Sequence, residues 1–461
     1  MTQLPRKIHL IAIGGSVMHN LAIALHEKGF QVTGSDDHIR NPAKDRLARL
    51  GLLPDEEGWF PERITADLDA VILGMHARKD NPELAKAQEL NLPIYSFPEY
   101  VYQQCRDKQR VVVAGSHGKT SITSMLMHVL NYYNRKFDYL VGAQVEGFEN
   151  QVKLTDDAPV VIIEGDEYLA SPLDPTPKFL HYHHHIGLVS GIAWDHINVY
   201  PDFEDYVRQF DLFADATPKG GTLVYCEEDD LVTVICKKER ADVTALPYEA
   251  LPAKVIDGQT SLVLDDQKYP LQVFGHHNLL NMSGAKTILM RLGITEPMFY
   301  EAIQSFRGAA NRLELLAQNG TTNVYKDFAH APSKLKATCQ AVRDQFPDRR
   351  LIACLELHTF SSINPEFLKQ YAFTYTAADV PVVFYNPETS RRKQMHVLTE
   401  SDIKAAFEEP DLKIFTDSAA LQTWLEQQDW TETNLLLMSS GGFEGLNMQA
   451  LADQLTKPLA R

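Results

Sequence analysis

Residues 111–127 read VVVAGSHGKTSITSMLM: three valines, a turn punctuated by Gly115 and Gly118, then Lys119-Thr120 opening an apolar-periodic run. Glycines let backbone amides close on an anion, a helix N-terminus adds partial positive charge, and a lysine adds a full one. Thr120 stands where a hydroxyl can meet Mg²⁺, and Ser116, His117 and Ser121 complete the turn. The chemistry is phosphate binding, with a plain strand–turn–helix carrying an exposed lysine as the alternative. The spacing departs from the standard phosphate loop, because Val113 stands where its first glycine belongs.

Further groups of the same kind follow. The segment VVIIEGDEY supplies Glu164, Asp166 and Glu167 after the next strand, where acids beside a phosphate loop hold Mg²⁺ directly or through water. GIAWDHINVYP repeats the pattern with Asp195 and His196 at an expected strand end. FGHHNLLNMSGA places Asn278 where a side-chain amide could read an adenine edge, and Arg312 in ANRLELL could reach a γ-phosphate. In VYKDFAHAP, Asp327, Phe328 and His330 lie just beyond a strand. Near the N-terminus Gly14, Gly15 and Ser16 leave a strand and open a helix. Asp36 closes the next strand, which suits a nucleotide diphosphate with the acid on a ribose hydroxyl. A dinucleotide fingerprint fails, since His19 replaces its third glycine, and an oxidoreductase is disfavoured. The run HYHHH (181–185) reads as alternating strand histidines without the partners a zinc site needs.

Strand and helix patterns alternate in three stretches, which implies α/β architecture with mostly parallel sheets. The expected divisions are 1–107, 108–311 and 312–461, with QQCRDKQR (103–110) as a linker and 225–272 β-rich. A length of 461 residues suffices for three cores. A net charge of −17 disfavours nucleic acid and anionic membranes, so anionic substrates must be met by local basic groups. Five cysteines without CxxC spacing suit a reducing compartment. With no signal-peptide pattern and no run of about 18 apolar residues, the expectation is a soluble cytoplasmic protein.

The motifs together resemble the Mur ligase family, the ATP-dependent amide-forming enzymes of peptidoglycan synthesis. GSHGKT is similar to the family's GTHGKT, and EGDEY to its EADE. WDH, GHHNLLN, the arginine of ANRLE and DFAHAP match the DH, GxHNxxN, arginine and D-(Y/F)-x-H-x-P positions, in family order over nearly the whole chain. The resemblance implies three domains: a Rossmann-like UDP-sugar-binding domain, a central phosphate-loop ATPase and a Rossmann-like C-terminal domain for the amine. It implies ATP and Mg²⁺ as cofactors. Gly115–Ser121, Asn278, Arg312 and Asp327 would lie on ATP, and Gly14, Gly15, Ser16 and Asp36 on the UDP-sugar. Thr120, Glu164 and His196 would lie on metal, with Lys119, Glu164, His196 and Arg312 in catalysis, and Phe328, His330 and His358 on the amine.

Within the family the sequence looks like the branch acting on UDP-N-acetylmuramate. ARKDNPEL, KFLHY, DFAHAP and MSSGGFEG look closer to the member adding recycled L-Ala-γ-D-Glu-meso-diaminopimelate tripeptide than to the L-alanine-adding member. The latter shows DDYxHHP and an arginine-bearing H-R-Y-T-R stretch, where this chain has Phe328 and HTFSS. The alternative reading is the L-alanine-adding ligase of de novo synthesis, and a more remote one is a nucleotide-binding regulator that does not ligate. Several Mur ligases carry a carbamylated lysine after the DH, whereas here no lysine lies between Asp195 and Lys219. Activity is therefore expected to be independent of bicarbonate, and intact-mass measurement should find no CO₂ adduct on residues 108–311; rescue by bicarbonate would contradict this.

Overall fold

The computed structural model describes residues 6–256, 258–264 and 267–457. They form two compact units, one of residues 6–192, 206–248 and 284–293, the other of 193–205, 249–256, 258–264, 267–283 and 294–457.

The first unit holds two sheets. Gln31–Ser35, Lys7–Ile11, Ala70–Leu73 and Ile94–Ser96 pair in that order, all parallel. A seven-stranded sheet runs Thr244–Tyr248, Thr222–Cys226, Ile186–Val189, Gln109–Ala114, Val160–Glu164, Asp138–Leu140, Val152–Lys153, parallel except for its last pair. The valines identified in the sequence lie at its centre, and Val111, Val112 and Val113 are fully buried, as strands covered on both faces require. Register pairs Val113 with both Leu188 and Glu164. Glu164 therefore leaves the sheet at the same edge as the glycine turn.

The second unit contains an antiparallel hairpin sheet (Ala253–Ile256, Gln259–Leu264, Gln267–Pro270) and a six-stranded sheet. The latter runs Glu314–Gln318, Asn323–Asp327, Thr433–Met438, Arg350–Glu356, Val380–Phe384, Lys413–Phe415, with only the first pair antiparallel. Along Arg350–Glu356 the two-residue period feeds two cores: Leu351, Ala353 and Leu355 pack with Leu335 and Tyr371, while Ile352 and Cys354 pack with Leu421 and Leu451. All five cysteines are unpaired and buried, and burial pushes the thiols of Cys105, Cys226 and Cys236 up to about 12, 11 and 12.

The α/β class and mostly parallel sheets match the sequence reading, and three elements differ from it. The connection expected over 103–110 is shorter: a helix runs to Cys105 and the next strand begins at Gln109, leaving 106–108 between them. The histidine run is no strand. His181 ends the helix Lys178–His181, His183 has φ 46°, and the strand starts only at Ile186. Asp195 and His196 stand well past the strand end at Val189.

Packing explains the histidines. His184 is buried, stacks on Phe213 at 4.2 Å and bonds Thr217 Oγ1 at 2.8 Å, so burial lowers it to about 3. His181 lies 3.0 Å from Asp174. The guanidinium of Arg110, itself buried, donates to the carbonyls of Tyr182, His183, Cys105, Arg106 and Lys108 at 2.8–3.2 Å. One side chain thus ties the histidine segment to the end of the preceding helix. Arg110→Met leaves those carbonyls short of donors, and urea unfolding should show a loss of about 3 kcal/mol; an unchanged midpoint would refute the tie.

Candidate active site

The phosphate-type loop is built by close backbone approach. Gly115 (φ 128°) lies so near Ser190 that a Cβ would sit 2.2 Å from its Oγ. Ser116 N–H donates to Gly191 O at 2.9 Å, and Ser190 N–H to Ala114 O at 3.0 Å. Gly118, left-handed at φ 77°, starts the helix Lys119–Tyr132, which has no side-chain cap. Its N-terminal dipole therefore faces the loop. Lys119 Nζ donates to Gly115 O at 2.5 Å and to Glu167 Oε2 at 2.7 Å. Burial works against the ammonium, but Glu167, Asp166 and Glu164 hold it above its ordinary range.

Thr120 Oγ1 donates to Glu164 Oε1 at 2.7 Å, while Gly142 N–H fills Glu164 Oε2 at 2.7 Å. A hydroxyl and a carboxylate meeting at a helix N-terminus form an all-oxygen donor pair, which fits a hard cation such as Mg²⁺ that keeps most of its waters. Asp166 is turned to Lys178 at 2.6 Å. Ser190, Gly191 and Gly142 escaped the sequence reading. Their signal is small residues directly after buried strands, which is common to ordinary turns.

Beyond the ends of two strands of the four-stranded sheet, Asp36 Oδ2 accepts the Gly14 N–H at 2.7 Å, which brings the acid onto the glycine turn. His19, buried at the first helical turn, bonds Gly15 O at 2.9 Å and faces Arg46 at 3.2 Å. Arg46 also reaches Glu149 O and Asn150. Arg46 is a cation beside this turn that the sequence reading missed.

The second unit assembles a different set. Asp327, buried at its strand end, accepts from Leu313 N and Ala329 N at 2.8 and 2.7 Å, and burial pushes its carboxyl up to about 6 against Arg312. Arg312 lies over the Phe328 ring at 4.8 Å. Buried Asp195 meets Lys334 at 3.4 Å and His330 at 3.6 Å; burial opposes its charge, yet Lys334 and His330 hold it well below the carboxylate range. His196 follows with φ 55°. Asn278 Nδ2 donates to Phe274 O at 2.8 Å. His358 lies 3.8 Å from Glu356, and its carbonyl accepts from Lys393 Nζ. The predicted residues therefore divide: Lys119, Thr120 and Glu164 converge in the first unit, whereas His196, Asn278, Arg312, Asp327, Phe328, His330 and His358 belong to the second.

A glycine loop with an invading lysine and paired carboxylates at the edge of a parallel sheet, on a chain with two further sheets of the same type, defines a phosphate-handling α/β enzyme. Residues 7–109 match the Mur ligase family catalytic domain and 113–289 the Mur ligase middle domain. The UDP-N-acetylmuramate–L-alanine ligase of Sulfurihydrogenibium sp. (strain YO3AOP1) is 31% identical over 385 residues, 82% of each chain. A murein peptide ligase from Psychrobacter arcticus 273-4 superposes with TM-score 0.65 at 22% identity, over 99% of this chain and 100% of its own. UDP-N-acetylmuramate-alanine ligase MurC from Thermotoga maritima gives 0.71 at 20% identity, over 97% and 98%. The chain belongs to the Mur ligase family and is an ATP-dependent ligase. Among the described residues no helix is long and apolar enough to cross a membrane.

The Gly14–Asp36 contact has a measurable signature. Burial, opposed by the Gly14 N–H and aided by Asp37, pushes the Asp36 carboxyl up to about 6 from 3.8. A raised carboxyl favours the fold when protonated, and that contribution is lost as pH climbs from about 4 through about 6. Asp36→Asn keeps an acceptor for Gly14 without the charge. Urea unfolding should show it more stable than the parent at pH 7.5 and no more stable at pH 4; an equal difference at both would remove the charge from the account.

Proposed function

We propose that this enzyme joins UDP-N-acetylmuramate to L-Ala-γ-D-Glu-meso-diaminopimelate tripeptide in the cytoplasm, using ATP and Mg²⁺. Residues 1–107 would take the sugar nucleotide through Gly14, Gly15, Ser16 and Asp36, residues 108–311 the ATP, and 312–461 the amine. Lys119, the loop amides of Gly115–Ser121 and Arg312 would hold the phosphates, Asn278 the adenine and Asp327 the ribose. Thr120, Glu164 and His196 would hold Mg²⁺, which when bound offsets the repulsion between phosphates and the muramyl carboxylate. The carboxylate attacks the γ-phosphorus, breaking its bond to the β–γ bridging oxygen and releasing ADP, to give an acyl phosphate; the neutral amine then adds to the acyl carbon, and the tetrahedral intermediate expels phosphate as the nitrogen loses a proton. Clamping anions in fixed positions supplies most of such a rate enhancement, and the lysine-bearing loop supports that reading.

The observation that carries the tripeptide over L-alanine is the surrounding of His358. An enzyme selecting alanine must grip its α-carboxylate close to the amine, for which a forked arginine is the usual device. The segment His358–Ser362 has none. Instead Lys393 reaches the His358 carbonyl and lies over Phe360 at 4.6 Å, while Arg392, at the end of the helix before it, pairs with Glu444 at 3.3 Å. With Arg391, Pro387–Arg392 and Lys393 form a basic element beside the amine-type residues, suited to carboxylates carried farther from the reacting nitrogen. Phe328, His330 and His358 would face the amine end. The second reading, L-alanine as the amine, is favoured by the name of the Sulfurihydrogenibium relative.

The deciding assay measures phosphate release with each substrate omitted in turn. Tripeptide should exceed L-alanine at least about tenfold in kcat/KM, about 1.4 kcal/mol. Lys119→Ala should abolish release with either amine. Efficient use of alanine without tripeptide would assign the second reading, and near-normal turnover by Lys119→Ala would end the ATP-site assignment.

A further inference from the structure

Behind the phosphate loop runs a buried hydrogen-bonded chain that the ligation chemistry leaves unexplained. Tyr206 OH lies 2.8 Å from Ser116 Oγ and donates to Glu167 Oε1 at 3.3 Å, and Glu167 Oε2 takes the Lys119 ammonium at 2.7 Å. Tyr206 is fully buried, Glu167 1% and Ser116 4% exposed. The tyrosine is clamped in an aromatic cluster, edge-to-face with Phe210 at 5.3 Å, which packs on Phe179 at 5.5 Å. Its hydroxyl is therefore held in place by packing.

An ionised carboxylate in such a place is costly, and more so beside a loop built for anions. An apolar residue would serve packing better, and Asp166 next door is engaged elsewhere, with Lys178. What the carboxylate achieves is geometric. An ammonium has three N–H bonds. Gly115 O and Glu167 take two of them, which fixes the direction of the third.

We propose that Glu167 and Tyr206 are positioning residues: Tyr206 fixes Glu167, and Glu167 aims the Lys119 ammonium at the phosphate being transferred. The inference rests on the reading that this loop binds ATP. Charge at the transferring phosphoryl group develops in the transition state, so a mis-aimed lysine affects kcat more than nucleotide affinity.

The test uses the full chain, with kcat, ATP KM, the Mg²⁺ needed for half-maximal rate and the melting temperature measured for Tyr206→Phe, Glu167→Gln and the double variant. Tyr206→Phe, which removes one oxygen from a packed ring, should lower kcat about tenfold with ATP KM and Mg²⁺ requirement within about threefold of the parent. Glu167→Gln should cost about a hundredfold, and the double variant should lie within about twofold of it, because Tyr206 acts through Glu167. Parental kcat in Tyr206→Phe, or multiplication of the two losses, overturns the proposal. So does a loss recovered by added Mg²⁺, which would make Glu167 a metal ligand. Absence of binding of a fluorescent ATP analogue to the parent protein would instead defeat the ATP-site reading.

Discussion

The separation between two backbone turns governs the first unit. Gly115 and the Ser190–Gly191 turn approach so closely that a Cβ on Gly115, at φ 128°, would lie 2.9 Å from the Ser190 backbone nitrogen and 3.2 Å from that of Gly191. This contact fixes where the helix Lys119–Tyr132 begins and therefore where its dipole, Lys119 and Thr120 point. The parallel pairing of Gln109–Ala114 with both neighbouring strands brings the two turns to one edge. Open α/β sheets place ligands at such carboxyl edges because loops from adjacent strands converge there.

Electrostatics then acts on a prepared frame. Lys119 with Glu167, and Thr120 and the Gly142 N–H with Glu164, form two neighbouring groups in which each charge has a partner of opposite sign or a donor. Such groups hold their shape while nothing is bound, so less reorganisation is required when an anion arrives. The second unit shows the same economy, with Asp195 shared between Lys334 and His330 and Asp327 capped by two backbone amides.

Much of this was legible in the chain. VVVAGSHGKT gave strand, turn and helix because a fully apolar run, two glycines and an apolar period each have one structural solution. Glu164 was legible because an acid ending a buried strand must emerge at the sheet edge. The histidine run was misread because alternation on paper ignores a neighbouring arginine: Arg110 collects the carbonyls that a strand at 181–185 would have needed for pairing. Asp195 was placed at a strand end because GLVSGIAW looks continuous, whereas the chain leaves the sheet at Val189 to form the turn against Gly115. Ser190, Gly191, Gly142, Arg46 and Tyr206 stayed hidden because each acts on a residue distant in sequence, and no local period marks such a contact.

The burial of all five cysteines has a practical consequence. Thiolate is the reactive form, and thiols that are shut away from water and held in the protonated state react slowly with alkylating probes. The folded chain is thus a silent background for maleimide chemistry. A pair of cysteines engineered onto exposed positions of one unit would carry fluorophores or spin labels selectively, so a distance within that unit could be followed during turnover without first rebuilding the protein as a cysteine-free variant.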